Sequence, residues 1–177
     1  WELFKSTNGG ESWTRLGSAP RQIAISPSSP AQMYYPSGYN VYRSQNEGQT
    51  FSIAGQVRTP GGDLNGVNSV AVNPTNPSQL LATMTGPNSL LNGIFQSTNG
   101  GASWVRVQEG NNVSVRYSRN NPMEAWAGDC CGNLSVYRSI NGGASWSNVR
   151  VREGTRSLPF TRGPMLRSLP GHTQTIL

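Results

Sequence analysis

Apolar and polar residues alternate in short bursts along this chain, and each burst stops at a proline turn or an Asn-Gly pair. The runs Ile23-Ala24-Ile25, Val70-Ala71-Val72 and Val113-Ser114-Val115 each lead into a turn closed by proline, at Pro30, Pro77 and Pro122. Alternation of period two over so few residues predicts half-buried β-strands rather than helices. A second strand follows in each unit, over residues 32–35, 79–83 and 123–127, and a third over 40–44, 93–97 and 134–139. A fourth opens at Thr50, Ser103 or Ser145. The reading is all-β, with four antiparallel strands per unit and no helix needed anywhere.

Between the third and fourth strands stands one eight-residue pattern, present four times. Its copies are Ser6-Thr7-Asn8-Gly9-Gly10-Glu11-Ser12-Trp13, Ser44-Gln45-Asn46-Glu47-Gly48-Gln49-Thr50-Phe51, Ser97-Thr98-Asn99-Gly100-Gly101-Ala102-Ser103-Trp104 and Ser139-Ile140-Asn141-Gly142-Gly143-Ala144-Ser145-Trp146. Asn followed by Gly is a strong hairpin signal, because both tolerate positive φ and the Asn side chain can accept bonds from nearby backbone N–H groups. The aromatic residue five positions after the Asn is placed by this reading on the returning strand, where its ring covers the hairpin. Ser12, Thr50, Ser103 and Ser145 read as local hydrogen-bond partners of the turn. The box serines stand 38, 53 and 42 residues apart, periods that suit four-stranded blades of roughly 40 to 50 residues.

The pattern resembles the Asp-box, or bacterial neuraminidase repeat, Ser-x-Asp-x-Gly-x-Thr-Trp. That repeat occurs in the β-propellers of sialidases, xyloglucan hydrolases, sortilin-type receptors and photosystem II assembly factors. The resemblance implies a propeller and gives the boxes a structural role, carried by Ser6, Asn8, Gly10 and Trp13, by Ser44, Asn46, Gly48 and Phe51, by Ser97, Asn99, Gly101 and Trp104, and by Ser139, Asn141, Gly143 and Trp146. All four boxes carry Asn where the family has Asp. The acceptor oxygen survives and the charge is lost, so no metal site is expected there.

Residues 1–154 read as propeller, with blade units at about 1–16, 22–54, 68–107 and 113–151. That is about three complete blades plus half of one, fewer than the roughly four to eight with which propellers close. The chain therefore reads as a fragment of a longer propeller, or as a partial ring that needs another chain, its outer sheets presenting bare edges. Residues 155–177 lose the repeat. Pro159, Pro164 and Pro170 among scattered Arg and Leu predict an irregular basic tail without periodic strands.

Composition changes the picture little. Charged residues are 12% of the chain and the net charge is +6, but half of that excess lies in residues 152–177, where four arginines face Glu153. No interleaving of basic and aromatic residues supports nucleic-acid binding. No apolar run approaches the roughly 20 residues of a membrane span. The resemblance implies a secreted or extracellular setting, in which Asn112-Val113-Ser114 and Asn133-Leu134-Ser135 would be glycosylation sequons of a eukaryotic secretory route.

A meander puts alternate connections on opposite sides. The boxes and proline turns share one face, while residues 36–39, 85–92, 128–133 and the long connection 56–68 share the other and differ among the units. Variable loops on a rigid scaffold are where binding resides. The candidate binding residues on that face are Tyr39, Asp63, Trp126 and Asp129, the two rings as sugar-stacking surfaces. Asp63 and Asp129 are the catalytic candidates, since a glycosidase needs two carboxyl groups about 5 to 9.5 Å apart. Both stand in Gly-rich turns, where Asp is favoured for turn chemistry alone, and the expectation is that they do not converge. Sialidases with this repeat use an arginine triad, a Tyr-Glu nucleophile pair and an early Phe-Arg-Ile-Pro type segment, and nothing here matches that segment. The catalytic aspartates of xyloglucan hydrolases map onto neither Asp by any motif. Residues 63–68 fail the EF-hand template, with Val67 at a ligand position and Asn68 where Gly is required.

Cys130 and Cys131 are adjacent, which makes a bridge between them strained, and the single His172 supplies no metal-ligating partner nearby in sequence. No cofactor is implied. The expected function is a non-catalytic propeller module binding a protein or glycan through its loop face, the remaining blades of the same propeller being its other partners. The alternative is a piece of a secreted glycoside hydrolase.

Overall fold

The computed structural model describes residues 2–18, 20–58, 65–129, 136–149, 152–153 and 156–157. Asp63, Cys130, Cys131, Asn133, Leu134, Ser135, the three tail prolines and His172 lie outside the described residues. Strands β1 (Glu2–Lys5) and β2 (Thr14–Ser18) pair as a two-stranded sheet. Three four-stranded antiparallel meanders follow, each in the order of the chain. The first blade holds β3 (Ala24–Ile25), β4 (Met33–Ser37), β5 (Asn40–Ser44) and β6 (Ser52–Gln56). The second holds β7 (Gly66–Val72), β8 (Leu80–Thr85), β9 (Gly93–Ser97) and β10 (Val105–Glu109). The third holds β11 (Asn112–Tyr117), β12 (Ala125–Asp129), β13 (Val136–Ser139) and β14 (Ser147–Val149). A last two-stranded pair, β15 (Arg152–Glu153) with β16 (Arg156–Ser157), straddles the 154/155 boundary and places one short strand in the segment expected to lack them.

The blades stack through the period-two faces of their strands. Tyr34 and Val41 of the first blade pack with Val70, Val72, Leu80, Ala82, Met84 and Phe95 of the second. The other face of the second blade sends Ala71, Leu81 and Ile94 against Val115, Tyr117, Ala125 and Ala127 of the third. The second blade is thus covered on both faces, and β8 is buried from Leu80 through Met84 with no polar alternation. Alignment of the box serines makes the rule general. Met33, Leu80 and Ala125 are equivalent in register, and Leu80 and Ala125 pack against the preceding blade, while the equivalent Tyr34, Leu81 and Trp126 lie on the opposite face of their sheets.

The four boxes close as identical hydrogen-bond circuits. In the third, Ser97 Oγ donates to Asn99 Oδ1 at 2.9 Å and accepts from the Asn99 and Gly101 amides. Asn99 Oδ1 also accepts from Ser103 N at 3.0 Å, and its Nδ2 donates to Ser103 Oγ at 2.8 Å. The same bonds recur around Asn8, Asn46 and Asn141. Asn fits because the circuit uses both its acceptor and its donor, which a carboxylate could not supply. The turn requires a left-handed residue after the Asn, supplied by Gly9, Gly100 and Gly142, and in the second box by Glu47 at φ 59°.

Two expectations shift. The fourth strands begin at Ser52, Val105 and Ser147, two residues later than the pattern predicts, because Thr50, Ser103 and Ser145 are consumed as turn caps. The box aromatics consequently stand just before the returning strand. Trp13, Trp104 and Trp146 close the turn by donating Nε1 to the carbonyls of Gly10, Gly101 and Gly143 at 2.9 to 3.0 Å. A 3-10 turn over Ser89–Leu91, capped by the Asn88 side chain, appears where no helix was needed.

Candidate functional site

The loop face is built from the short connections between second and third strands and from the linkers between blades. Among the described residues it holds a cleft of about 550 Å³. The linker residues Ser18, Pro20, Arg21 and Gln22 form one side, Tyr35 to Gly38 the second, and Val67 with Asn68 the third. Gln22 fixes the linker. Its amide donates to the Val70 carbonyl and accepts from the Val70 amide, both at 2.9 Å, imitating a strand partner for β7. The Val67 amide donates to the Gly38 carbonyl at 2.8 Å, tying the β4–β5 turn to the second blade.

Tyr35 forms the aromatic wall. It stacks on Tyr42 at 4.8 Å and meets the Phe51 ring edge-on at 4.9 Å. Burial, and next the neighbouring Tyr42, push its phenol above the ordinary tyrosine range, so it remains a neutral donor at physiological pH. The equivalent positions in the next blades are Ala82 and Ala127, both fully buried against the preceding blade. Of these three equivalent positions only Tyr35 carries a large ring. No carboxylate is among the described lining side chains.

A second part of the loop face is cross-linked by side-chain amides. Asn65 Nδ2 donates to the Asn88 carbonyl and to Asn92 Oδ1, both at 2.8 Å. Asn92 Oδ1 also accepts from the Gly86 amide at 2.9 Å, and Asn92 Nδ2 donates to Asn111 Oδ1 at 2.6 Å. This amide chain holds the 85–92 loop across three connections. Beside it Asn112 is fully buried, and neither side-chain polar atom has a protein partner.

The sequence candidates distribute unevenly over this surface. Tyr39 lies in the β4–β5 turn on the loop face, with the Arg58 guanidinium 4.4 Å over its ring. Trp126 is not on that face. It stands mid-strand in β12, paired in register with Arg116 and Arg138, and points away from the second blade because Ala125 and Ala127 point toward it. The Arg138 guanidinium lies 5.2 Å from its ring. Asp129 ends β12 opposite Asn112, its side chain outside the described set, and Asp63 lies outside it altogether. The Asp63–Asp129 separation is therefore not defined by the described residues. Four described glutamates are held in ion pairs, Glu2 with Arg15, Glu47 with Lys5, Glu109 with Arg106 and Glu124 with Arg138. Among the described residues no cluster of three His, Cys, Asp or Glu side chains could hold a metal ion. The box oxygens are already saturated by their own turn.

Arg21, Tyr35 and Asn68 were missed in sequence because the cleft joins two linkers and a strand end that share no motif. No described helix is long and apolar enough to cross a membrane.

Stacked four-stranded meanders with hairpins at one end and linkers at the other define a β-propeller, and solved structures agree. An ancestral GH74 enzyme superposes with TM-score 0.60 at 24% identity, covering 85% of this chain and 21% of its own. The GH74 xyloglucanase from Xanthomonas campestris superposes at 0.56 and 22% identity, covering 74% of this chain and 23% of its own. YCF48 bound to D1 peptide superposes at 0.54 and 14% identity, covering 71% and 38%. This chain thus spans about a fifth to two fifths of the length of these neighbours. No family model matches the chain, and neither does any curated protein sequence.

Proposed function

We propose that this chain is part of an Asp-box propeller, with Asn in the Asp position, that binds a polypeptide through its loop face and performs no chemistry on it. One observation carries the reading: the loop-face cleft offers an aromatic wall, the Arg21 cation and the Ser37 and Asn68 polar groups, with no carboxylate among its described lining. Such a surface suits an extended peptide bearing an acidic group, whose carboxylate Arg21 would meet while a side chain lies on Tyr35. A propeller neighbour holding a peptide supports it. A secreted or extracellular setting belongs to the same reading.

The second reading, a piece of a glycoside hydrolase, is favoured by the likeness to the GH74 enzymes. Both can be tested on the full chain. A displayed library of random 12-residue peptides is selected against it, and the selected peptides and a xyloglucan oligosaccharide are titrated by calorimetry. The proposal expects acidic peptides to bind and to lose about tenfold in affinity with Tyr35→Ala or Arg21→Ala, with no sugar release from xyloglucan. Xyloglucan turnover that persists in purified protein would establish the hydrolase reading instead.

A further inference from the structure

The joint between the second and third blades has a polar end at the loop face that the joint before it lacks. Register makes the two joints comparable position by position. Val67, Met84 and Phe95 of the second blade are buried in the core it shares with the first. Pro36, two residues on from Tyr34, lies on the facing side of the first blade. One joint on, the equivalents of Val67, Met84 and Phe95 are Asn112, Asp129 and Tyr137 of the third blade, and Thr83 of the second stands where Pro36 does. Each of the four positions exchanges an apolar residue for one bearing a polar group.

Strand alternation brings these positions together. Thr83 is two residues on from Leu81 and pairs with Ile94, both of which pack on Val115 and Ala127, so it faces the third blade. Asn112 pairs with Asp129, two residues on from Ala127, across a bulge that takes up Val113, so it faces the second. Among the described residues, the buried side-chain polar atoms without a hydrogen-bond partner are Thr83 Oγ1, Asn112 Nδ2 and Asn112 Oδ1. All three fall in this one joint. The neighbouring amides, by contrast, are linked, Asn65 to Asn92 and Asn92 to Asn111.

Buried polar groups are nearly always bonded, so three orphans on two facing strands point to a guest. Their chemistry names it. Asn112 Nδ2 needs an acceptor and Asn112 Oδ1 needs a donor, while the threonine hydroxyl serves as either. A bare cation would satisfy the oxygens only, and an anion the donors only. Water supplies both, and two to four polar partners are what an internal water requires. A Cβ on Gly110 would stand 3.3 Å from Asn112 Nδ2 and 3.7 Å from Tyr137 Oη, so the missing side chain leaves both atoms room for such a molecule.

We propose that the loop-face end of this joint is a built water site, in which an internal water held by the Asn112 amide bridges to Thr83 Oγ1, with Tyr137 Oη as a further partner. The water ties the second blade to the third beside the amide chain through Asn65, Asn92 and Asn111. Neither the ends of the chain nor the loop-face cleft enters the argument.

Deuterium and oxygen-17 magnetic relaxation dispersion of the full chain counts long-lived internal waters, and a crystal structure of the full chain identifies the occupant. The variants are Asn112→Val, which installs the residue of the preceding joint, and Thr83→Val, with far-ultraviolet circular dichroism to show each is folded. The dispersion amplitude is expected to fall by roughly one water in Asn112→Val. The same loss in Thr83→Val serves if Asn112→Val does not fold. The crystal structure is expected to hold a water within about 3.2 Å of an Asn112 amide atom and of Thr83 Oγ1. An amplitude unchanged in the folded variants overturns the proposal. So does a structure in which a protein group, the Asp129 carboxylate included, bonds the Asn112 amide, or one with a cation ringed by oxygens at about 2.3 to 2.6 Å.

Discussion

The second and third blades have the same four-stranded meander and the same box, yet they differ sharply in how far they are buried. In the second, apolar residues on both faces of β8 are closed off by neighbours. In the third, one face packs on the second blade and the other presents Trp126, Arg138 and Glu124. The difference teaches that a blade's burial belongs to its joints. Toward the third blade the second presents Leu81 with Gln79 and Gln96, while the outer face of the third carries an aromatic ring with an ion pair, a combination that tolerates water.

The largest test of that contrast is a pair of truncations at equivalent positions. Leu81→Ala opens a cavity between blades two and three and is expected to cost about 2 to 5 kcal/mol in urea unfolding. Trp126→Ala is expected to cost less, about 1 to 2 kcal/mol, since its ring keeps part of its surface in solvent. Equal costs would break the comparison. Next in size are the boxes. Asn99→Ala leaves the Ser97 hydroxyl and the Ser103 amide without their acceptor beside a buried joint, for about 1 to 3 kcal/mol, while Asn8→Ala in the exposed first box should cost under about 1 kcal/mol.

A pH series sharpens the joint itself. Burial, opposed by a bond with Asn73, raises the Tyr117 phenol well above its ordinary value of 10.0. The unfolded chain therefore releases the proton first, so stability is complete below about pH 10 and falls as pH rises from there toward the folded value. Tyr117→Phe should lose about 1 kcal/mol at neutral pH with the bond to the Gly142 carbonyl, and show a flatter decline above pH 10. Chemical unfolding between pH 7 and 11 reads both. The smallest effect is expected at Glu47→Gly. Relief of the left-handed backbone is offset by the lost Lys5 pair and by glycine's greater unfolded freedom, leaving a change within about 1 kcal/mol.

Strand order and the repeat were legible in the sequence, because period-two apolar runs and Asn-Gly turns are local signals. The third strands Asn40–Ser44 and Gly93–Ser97 fall where the pattern puts them. Features that depend on joints were hidden. Nothing local marks Glu47 as left-handed, since only the fold over-determines that turn. Trp126 was grouped with Asp129 by proximity along the chain, but alternation in β12 sends its ring to a sheet face rather than to the loops. The joints do carry a signal, the long donor before every box serine, Lys5, Arg43, Gln96 or Arg138. It becomes readable only once Gln96 is seen to reach Gly142.

Hydrogen exchange of the full chain tests the central claim most directly. Amides of β8 should be strongly protected, because both faces of that strand are covered by neighbouring blades. Those of β12 should be less protected, because among the described blades only the second packs on it. Equal protection of the two strands would contradict the claim that a blade's burial belongs to its joints.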